Sequence, residues 1–249
     1  MRVAVAGATG VLGQHVVTAL TRLGHEPVLI SRSTGVDLTS GEGLERALQG
    51  SAAVIDASAT DNLSSKASIA FFGAATARLL EAERNAGVPH HVAISIIGAA
   101  QIAKNYYAGK ALQERMLFEQ PEGWSMLRTT QFHEFVYRII DAASIGRFQL
   151  VPRMRTQPVA AREVADALVR IALGEPQGLA PDLAGPTEER MADLVRRYFA
   201  AKGERRNVLE VPLPGRWGKG MRDGSLLPAP GTALGTQTFD EWLAAEVSA

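Results

Sequence analysis

The feature that most constrains this 249-residue chain is a set of three evenly spaced glycines directly after a short apolar run. The run Val3–Ala6 predicts a buried strand, and helical spacing of apolar residues follows Gly13. In such a loop Gly7 permits the tight turn, Gly10 lets the backbone approach a pyrophosphate, and Gly13 lets the helix pack close to the strand. A plain turn between strand and helix needs one glycine, so the pattern predicts a cradle for a dinucleotide.

The phosphates of that ligand would meet free backbone N–H groups and the positive end of the helix dipole. The loop residues expected to contact the cofactor are Gly7, Thr9, Gly10, Val11, Leu12 and Gly13.

Apolar strands alternate with helical patterns over most of the chain. Strands are predicted at 3–6, 28–30, 52–57, 92–97 and 124–127. Helices are predicted after Gly13 and at 44–48, 65–86, 105–119 and 162–173. The inward residues of the long third helix are predicted to be Ile69, Phe72, Thr76, Leu79 and Leu80. The pattern predicts an α/β fold with a Rossmann-type, doubly wound parallel sheet, because continuously apolar strands are typical of buried parallel sheets.

The alternation of strand and helix patterns ends after residue 185. Apolar spacing predicts an amphipathic helix from Met191 to Phe199, and a capping box at 238–241 predicts a last helix. Residues 212–237, rich in Gly and Pro, are predicted to form a long loop with at most one short helix. We predict a single NAD(P)-binding domain with a Rossmann core at about 1–130 and 161–185. A small C-terminal substrate lobe would comprise about 131–160 and 186–249.

Composition excludes several classes of function. The 26 basic and 26 acidic residues balance without a basic arm, so we expect no nucleic-acid partner. The chain has no cysteine, and no cluster has metal-ligand spacing; His90 and His91 are predicted in a loop. The longest apolar stretches fall well short of the roughly 20 residues of a membrane span. Without a signal peptide pattern either, the expected location is cytoplasmic.

The second strand ends in Ile30-Ser-Arg-Ser-Thr34. A carboxylate at such an end would bind the ribose 2′-OH of NAD, whereas a cation accommodates the 2′-phosphate of NADP. Ser31 and Arg32 stand there and no acid does, so NADP(H) is predicted in preference to NAD(H). The alternative is a solvated surface arginine.

The glycine loop resembles that of the short-chain dehydrogenase/reductase superfamily, and most closely its atypical NmrA-like, or NAD(P)H-binding, branch. Four further segments resemble that branch: Ser95-Ile-Ile-Gly98, Tyr106-Tyr-Ala-Gly-Lys110, Leu127-Arg-Thr-Thr-Gln-Phe132 and Val164-Ala-Asp-Ala167. The resemblance spans residues 1 to about 245. It implies that Asp37 and Leu38 lie near the adenine, although Asp37 is equally typical of a simple turn. Ala57 and Ser58, after the third strand, should line the adenosine side of the cofactor.

The resemblance also implies a catalytic set. In active relatives the tyrosine donates a proton to the carbonyl that is reduced, and the lysine binds the nicotinamide ribose and lowers the pKa of the tyrosine. Tyr106 and Lys110 are four residues apart and share a helix face, while Ser95 would bind the substrate oxygen. Tyr107 is the alternative to Tyr106, and a packing role for either tyrosine stays open.

Phe132 and His133 should begin the substrate lobe, where His133 is either a pocket acid or base or a structural histidine. The predicted function is NADPH-dependent reduction of a small organic carbonyl, quinone or enone-like substrate by a monomer or homodimer. The rival is an NADP(H)-binding redox sensor of NmrA-like type that acts without turnover. An isomerase or lyase that uses bound NADP is a third option, because the fold does not fix the reaction.

Overall fold

The computed structural model describes residues 1–248. Its helices are α1 (Val11–Arg22), α2 (Leu44–Leu48), α3 (Ser65–Ala86), α4 (Ala99–Ile102), α5 (Tyr106–Phe118), α6 (Phe135–Ala142), α7 (Ala161–Ala172), α8 (Met191–Ala201), α9 (Gly215–Arg222) and α10 (Phe239–Ser248). Its strands are β1 (Arg2–Ala6), β2 (Glu26–Ile30), β3 (Ala53–Asp56), β4 (His91–Ile96), β5 (Trp124–Thr129), β6 (Ser144–Ile145), β7 (Phe148–Pro152), β8 (Arg155–Thr156), β9 (Gly178–Leu179), β10 (Leu183–Ala184), β11 (Glu189–Arg190), β12 (Asn207–Val211) and β13 (Ala233–Leu234).

The chain divides into two compact units, each made of two separate segments. The first comprises residues 1–128 and 162–181, and the second comprises 129–161 and 182–249. That the second unit serves as a substrate lobe remains a prediction.

In the first unit the strands are ordered β5-β4-β3-β1-β2. Strand β1 pairs in parallel with both β2 and β3, and β3 pairs in parallel with β4. The chain therefore leaves β1 to one side, forms β2, and returns to the other side of β1 to form β3. Such a change of direction opens a crevice at the carboxyl ends of β1 and β3, which is where open α/β sheets bind ligands. The predicted Rossmann-type α/β fold is confirmed.

Helices α2 and α3 pack with these strands because their apolar residues recur at helical spacing. The shared core includes Ile30 of β2, Leu44 and Leu48 of α2, Val54 of β3 and Leu79 of α3. All five strands and all five helices predicted for this unit are present, with ends that differ by a few residues.

One inward residue of α3 was predicted wrongly. The side chain of Ile69 is 44% exposed, whereas its neighbour Ser68 is fully buried. The reason is the close approach of α5: a Cβ added to Gly109 would lie 2.3 Å from the Ser68 hydroxyl oxygen. That hydroxyl donates a 2.8 Å hydrogen bond to the Tyr106 carbonyl oxygen. A small polar residue therefore occupies the tight contact, and the larger isoleucine lies outside it.

The prediction that His90 and His91 lie in a loop before a strand is correct for His90 but wrong for His91. Both are buried, and His91 is the first residue of β4. The ring of His91 bonds Glu83 of α3 at 2.7 Å, and that of His90 bonds the Ser125 hydroxyl at 2.8 Å. Each ring has a polar partner inside the first unit, which makes its burial tolerable.

The second unit contains short strands and four helices, α6, α8, α9 and α10, and aromatic rings of α6, α8 and α10 contact one another. Strand β7 pairs in parallel with β12 and antiparallel with β6, and β8 pairs antiparallel with β11. The predicted amphipathic helix is α8, whose Met191 and Phe199 are buried. The predicted capping box is present, since Thr238 and Glu241 exchange side-chain and backbone hydrogen bonds of 2.8–3.2 Å before α10. Within residues 1–248, no helix is both long enough and apolar enough to cross a membrane.

Candidate functional site

The three glycines between β1 and α1 have different neighbours. Gly7 has a φ of +76°, and a Cβ there would lie 2.8 Å from the Ala57 carbonyl oxygen. A Cβ on Gly13 would lie 2.1 Å from the Gly7 carbonyl oxygen, so only hydrogen fits between helix and strand. At Gly10 the one near atom is that same oxygen, at 3.3 Å. The fold itself therefore requires Gly7 and Gly13, whereas Gly10 leaves its outer side open to a ligand.

Helix α1 begins with backbone donors that the chain does not use. Gly10 is the N-cap residue, and no side chain caps the helix. Within the described residues, the N–H groups of Val11, Leu12 and Gly13 donate to no acceptor. Such donors, at the positive end of a 12-residue helix, suit a phosphate group. Thr9 is exposed beside them, and its carbonyl oxygen accepts a bond from Gln14. The loop thus fits the predicted pyrophosphate.

The end of β2 presents a cation on an ordered turn. Ser31 is buried, and its backbone N–H donates to the Thr34 hydroxyl at 3.1 Å. The Ser31 and Ser33 hydroxyls lie 2.8 Å apart. Arg32 is exposed, and its guanidinium forms no hydrogen bond or ion pair with another part of the described chain. Because β2 lies parallel to β1, Arg32 follows the strand next to the glycine loop.

Asp37 and Leu38 follow this turn. The Asp37 carboxylate accepts hydrogen bonds of 2.6 and 2.7 Å from the hydroxyl and N–H of Thr39, and one of 3.2 Å from the N–H of Ser40. The Thr39 hydroxyl bond and these backbone bonds lower the pKa of Asp37. The carboxylate therefore stabilises a turn, and the Leu38 side chain is buried.

Ala57 and Ser58 lie directly against the glycine loop. The Ala57 N–H donates to the Ala6 carbonyl oxygen at 3.0 Å, and a Cβ on Gly7 would lie 2.8 Å from the Ser58 Cα atom. The Ser58 hydroxyl is buried and has no hydrogen-bond partner among residues 1–248. The structure thus brings these two predicted cofactor residues to the glycine loop, at the carboxyl end of β3.

Tyr106 and Lys110 meet at one aromatic ring of α3. The Tyr106 ring packs edge-to-face on Phe72, with centroids 5.4 Å apart, and the Lys110 Nζ atom lies 4.3 Å from the centroid of the same ring. Tyr107 is 5% exposed, whereas Tyr106 is half-buried. The predicted shared helix face of Tyr106 and Lys110 is therefore present.

The ammonium group of Lys110 has partners that sequence reasoning missed. It donates to the Ile94 carbonyl oxygen at 2.9 Å and to the Gln113 side-chain oxygen at 3.0 Å. The Gln113 amide in turn donates to the Asp56 carboxylate at 2.7 Å. Burial lowers the pKa of Lys110 to about 8, while the charges of Asp56 and Glu114 raise it. The lysine is 3% exposed, so its charge is compensated inside the protein.

Ser95 belongs to a second buried network. Its hydroxyl donates to Glu114 at 2.6 Å, and Arg128 holds the same carboxylate through two hydrogen bonds of 2.6 and 3.0 Å. Ser95 and Glu114 are each 1% exposed. Position 114 lies one turn beyond Lys110 on α5, and this spacing was the only sequence signal for the network.

Phe132 and His133 lie in the second unit. Phe132 forms a parallel bridge with Val159, and the His133 N–H donates to the Val159 carbonyl oxygen at 3.1 Å. The His133 ring is 1% exposed, and its Nε2 atom lies 3.0 Å from the Gln237 carbonyl oxygen. Its ring contacts are with Phe239 and Trp242, at 5.8 Å between centroids. This setting favours the structural alternative for His133, and a substrate role for either residue stays a prediction.

The first unit has a Rossmann-type fold, and the geometry of its glycine loop suits a pyrophosphate. Residues 3–105 match the sequence model of the NAD dependent epimerase/dehydratase family. A search of curated proteins found no matching sequence.

Solved structures share the fold at low sequence identity. UDP-glucose 4-epimerase from Thermotoga maritima, with UDP-glucose, has a TM-score of 0.75 and 15% identity, covering 100% of this chain and 98% of that one. An NADPH-dependent quinone oxidoreductase from Escherichia coli, complexed with NADPH, has a TM-score of 0.73 and 16% identity, covering 98% and 99%. A short-chain dehydrogenase/reductase superfamily protein from Agrobacterium tumefaciens, with bound NAD, has a TM-score of 0.70 and 18% identity, covering 100% and 96%.

The family match covers less than half of the chain, and the solved structures share its fold at under 25% identity. Membership of the atypical short-chain dehydrogenases/reductases therefore stays a prediction. The resemblance seen in the sequence agrees with these matches, and the NmrA-like branch also stays a prediction. Among residues 1–248, no three His, Asp or Glu side chains are grouped so that they could hold a metal ion.

Proposed function

We propose that the protein is an NADPH-dependent oxidoreductase that reduces a small organic carbonyl, quinone or enone-like substrate. The observation that carries this proposal is the pair Tyr106 and Lys110, a phenol and an ammonium that converge on Phe72 at one helix end. A phenol beside a cation is suited to proton donation, because the positive charge stabilises tyrosinate. The similarity in fold to the NADPH-dependent quinone oxidoreductase adds support.

Each of the predicted site residues would have a separate role in binding the cofactor or in proton transfer. The α1 N-terminus and Gly10 bind the pyrophosphate, and Arg32 with Ser31 binds the 2′-phosphate. Asp37 and Leu38, with Ala57 and Ser58, line the adenosine side. NADPH, when bound, supplies the two electrons as a hydride. Lys110 orients the nicotinamide ribose, and Tyr106 or Tyr107 supplies the proton to the substrate oxygen, with Ser95 beside it.

A second candidate is an NADP(H)-binding redox sensor without turnover. The observation that favours it is that two of the three candidate catalytic groups are already engaged inside the fold. Lys110 donates to Ile94 and Gln113, and Ser95 donates to Glu114. The family match names epimerases and dehydratases, which favours the third candidate, an isomerase or lyase that retains its bound dinucleotide.

A steady-state assay separates these candidates. NADPH oxidation is followed by the absorbance of the reduced nicotinamide, with a panel of carbonyls, quinones and enones. Nucleotide sugars are tested for isomerisation by product analysis. We expect net NADPH oxidation. Micromolar NADPH binding without any turnover would support the sensor, and sugar isomerisation without net oxidation would support the third candidate.

Two tyrosine variants locate the proton donor. Tyr106→Phe should reduce turnover about 10²- to 10⁴-fold with NADPH affinity nearly unchanged, because the ring stays and the proton is lost. Tyr107→Phe is the matched control and should be close to silent. If the two exchange effects, Tyr107 is the donor; if neither changes turnover, proton donation by tyrosine is wrong.

A further inference from the structure

Three polar side chains from β3 and α5 form a continuous buried chain of hydrogen bonds. Lys110 donates to Gln113, and Gln113 donates to the Oδ2 atom of Asp56 at 2.7 Å. Gln113 and Asp56 are fully buried. The other carboxylate oxygen of Asp56, Oδ1, accepts the Ser58 N–H at 2.9 Å. Asp56 therefore links the lysine to the segment that packs against Gly7.

The charges around Lys110 single out Asp56 as its counterion. On α5 itself, Glu114 is paired with Arg128 of β5 and accepts the Ser95 hydroxyl, so its charge is largely compensated. On β4, His91 is paired with Glu83 of α3, which is the second buried ion pair of this region.

The face of α3 that meets Lys110 carries no charge, since the contact there is the Phe72 ring. Asp56 reaches the lysine through the Gln113 amide, and its charge also raises the pKa of His91, whose ring is bonded to Glu83. An isolated buried ammonium is costly unless an opposite charge stabilises it.

We propose that Asp56 and Gln113 are positioning residues that hold Lys110 in place and keep it protonated. Their hydrogen bonds also connect Lys110 to Ser58, in the segment that packs against Gly7. The inference rests on the proposed contact between Lys110 and the nicotinamide ribose. Asp56 acts on the cofactor only through other groups: through Gln113 on the lysine, and through the Ser58 N–H on the loop.

The sign of the effect on stability follows from the lysine. Its pKa is about 8 in the folded protein, below its ordinary value of 10.5. Between these values the unfolded chain keeps a proton that the folded chain has lost, so stability rises with pH in this window. Removing the Asp56 charge lowers the folded pKa further, so the rise should begin at a lower pH.

The decisive measurement is the free energy of unfolding in urea from pH 7 to 10.5 for Asp56→Asn and Gln113→Leu. Each is made in the parent chain and in Lys110→Met. We expect both substitutions to lower the pH at which stability begins to rise in the parent chain. Neither should shift that pH in Lys110→Met. Unshifted profiles in the parent chain, or equal shifts in both backgrounds, would overturn the proposal. Should Asp56→Asn not fold, Gln113→Leu alone decides.

Gln149→Leu is the matched control. Gln149 is a buried glutamine of the second unit, and its side-chain amide donates to the carbonyl oxygens of Ile139, Ile140 and Ala143 rather than to a charged group. It should lower stability equally at every pH.

Titration with NADPH from pH 6.5 to 9 separates this inference from the proposed function. With both correct, the affinity of Asp56→Asn should weaken at least threefold relative to the parent at pH 8, and little at pH 6.5. Shifted unfolding profiles with unchanged NADPH affinity would keep Asp56 as the positioning residue. That result would instead contradict the proposed contact between Lys110 and the nicotinamide ribose.

Discussion

The Ser95 hydroxyl donates its proton to the Glu114 carboxylate across 2.6 Å, and both side chains are buried. A hydroxyl has one proton to donate, so in this arrangement Ser95 can only accept a further hydrogen bond. It would therefore suit a substrate hydroxyl, and binding to a substrate carbonyl would require it to turn away from Glu114.

We expect Ser95→Ala to lower the free energy of unfolding by about 1.5–3 kcal/mol, because a hydrogen bond to a buried charge is lost. Urea denaturation measures the loss. In a Glu114→Gln background the loss should be roughly halved, since the acceptor is then neutral. An equal loss in both backgrounds would mean that the serine contributes by packing alone.

Gly10 and Gly13 should respond differently to an added side chain. Gly10→Val should abolish NADPH binding and leave the fold intact, because a Cβ there meets only one atom, at 3.3 Å. Gly13→Ala should lower thermal stability, because its Cβ would lie 2.1 Å from a backbone oxygen. Calorimetry with NADPH and thermal unfolding check both. Retained binding in Gly10→Val would refute the cradle.

Arg32 should determine the choice between NADPH and NADH. A charge-assisted hydrogen bond contributes about 1.5–3 kcal/mol, so NADPH should bind at least tenfold more tightly than NADH. Arg32→Gln should remove most of this preference, while Arg46→Gln, an exposed arginine of α2, should keep it. Fluorescence titration of NADPH and NADH with the unmodified protein and both variants gives the six dissociation constants. Equal affinities in the unmodified protein would contradict the assignment.

The buried pair of His91 and Glu83 should make stability depend on pH. Burial disfavours the charged imidazole, yet the charge and hydrogen bond of Glu83 raise the pKa of His91 above 6.5. The resulting stabilisation is fully present below pH 6.5 and is lost as pH rises through the folded pKa. It amounts to about 1.4 kcal/mol for each pH unit that separates the folded pKa from the unfolded one.

Glu83→Gln should therefore destabilise the protein more at pH 5.5 than at pH 8.5, as measured by urea unfolding. Glu81→Gln is the control, because Glu81 is an exposed residue of the same helix that forms an ion pair with Arg78. A loss of the same size at both pH values would show that His91 is not charged in the folded protein.

The sequence was most informative where function and fold depend on neighbours along the chain. The glycine loop, the long helix α3 and the pairing of Tyr106 with Lys110 on one helix face are all local relationships, so their spacing predicts them. The contacts of the site are not local. Gln113 and Asp56 are 57 residues apart, and nothing in either segment indicates the other.

Packing distances were equally invisible in the sequence. Ser68 and Ile69 are adjacent in α3, and hydrophobicity alone assigned the isoleucine inward. The choice depends on Gly109 of α5, which brings the two helices so close that a serine fits and an isoleucine does not.

The order of the segments has a consequence for biosynthesis. The first unit is completed only by residues 162–181, which follow the first segment of the second unit in the chain. A ribosome that has made residues 1–128 has therefore produced the glycine loop and Lys110 but neither α7 nor β9. During translation the nascent first unit must wait for more than 30 further residues before its missing helix and strand emerge, so a fragment cut at Arg128 is an incomplete folding unit.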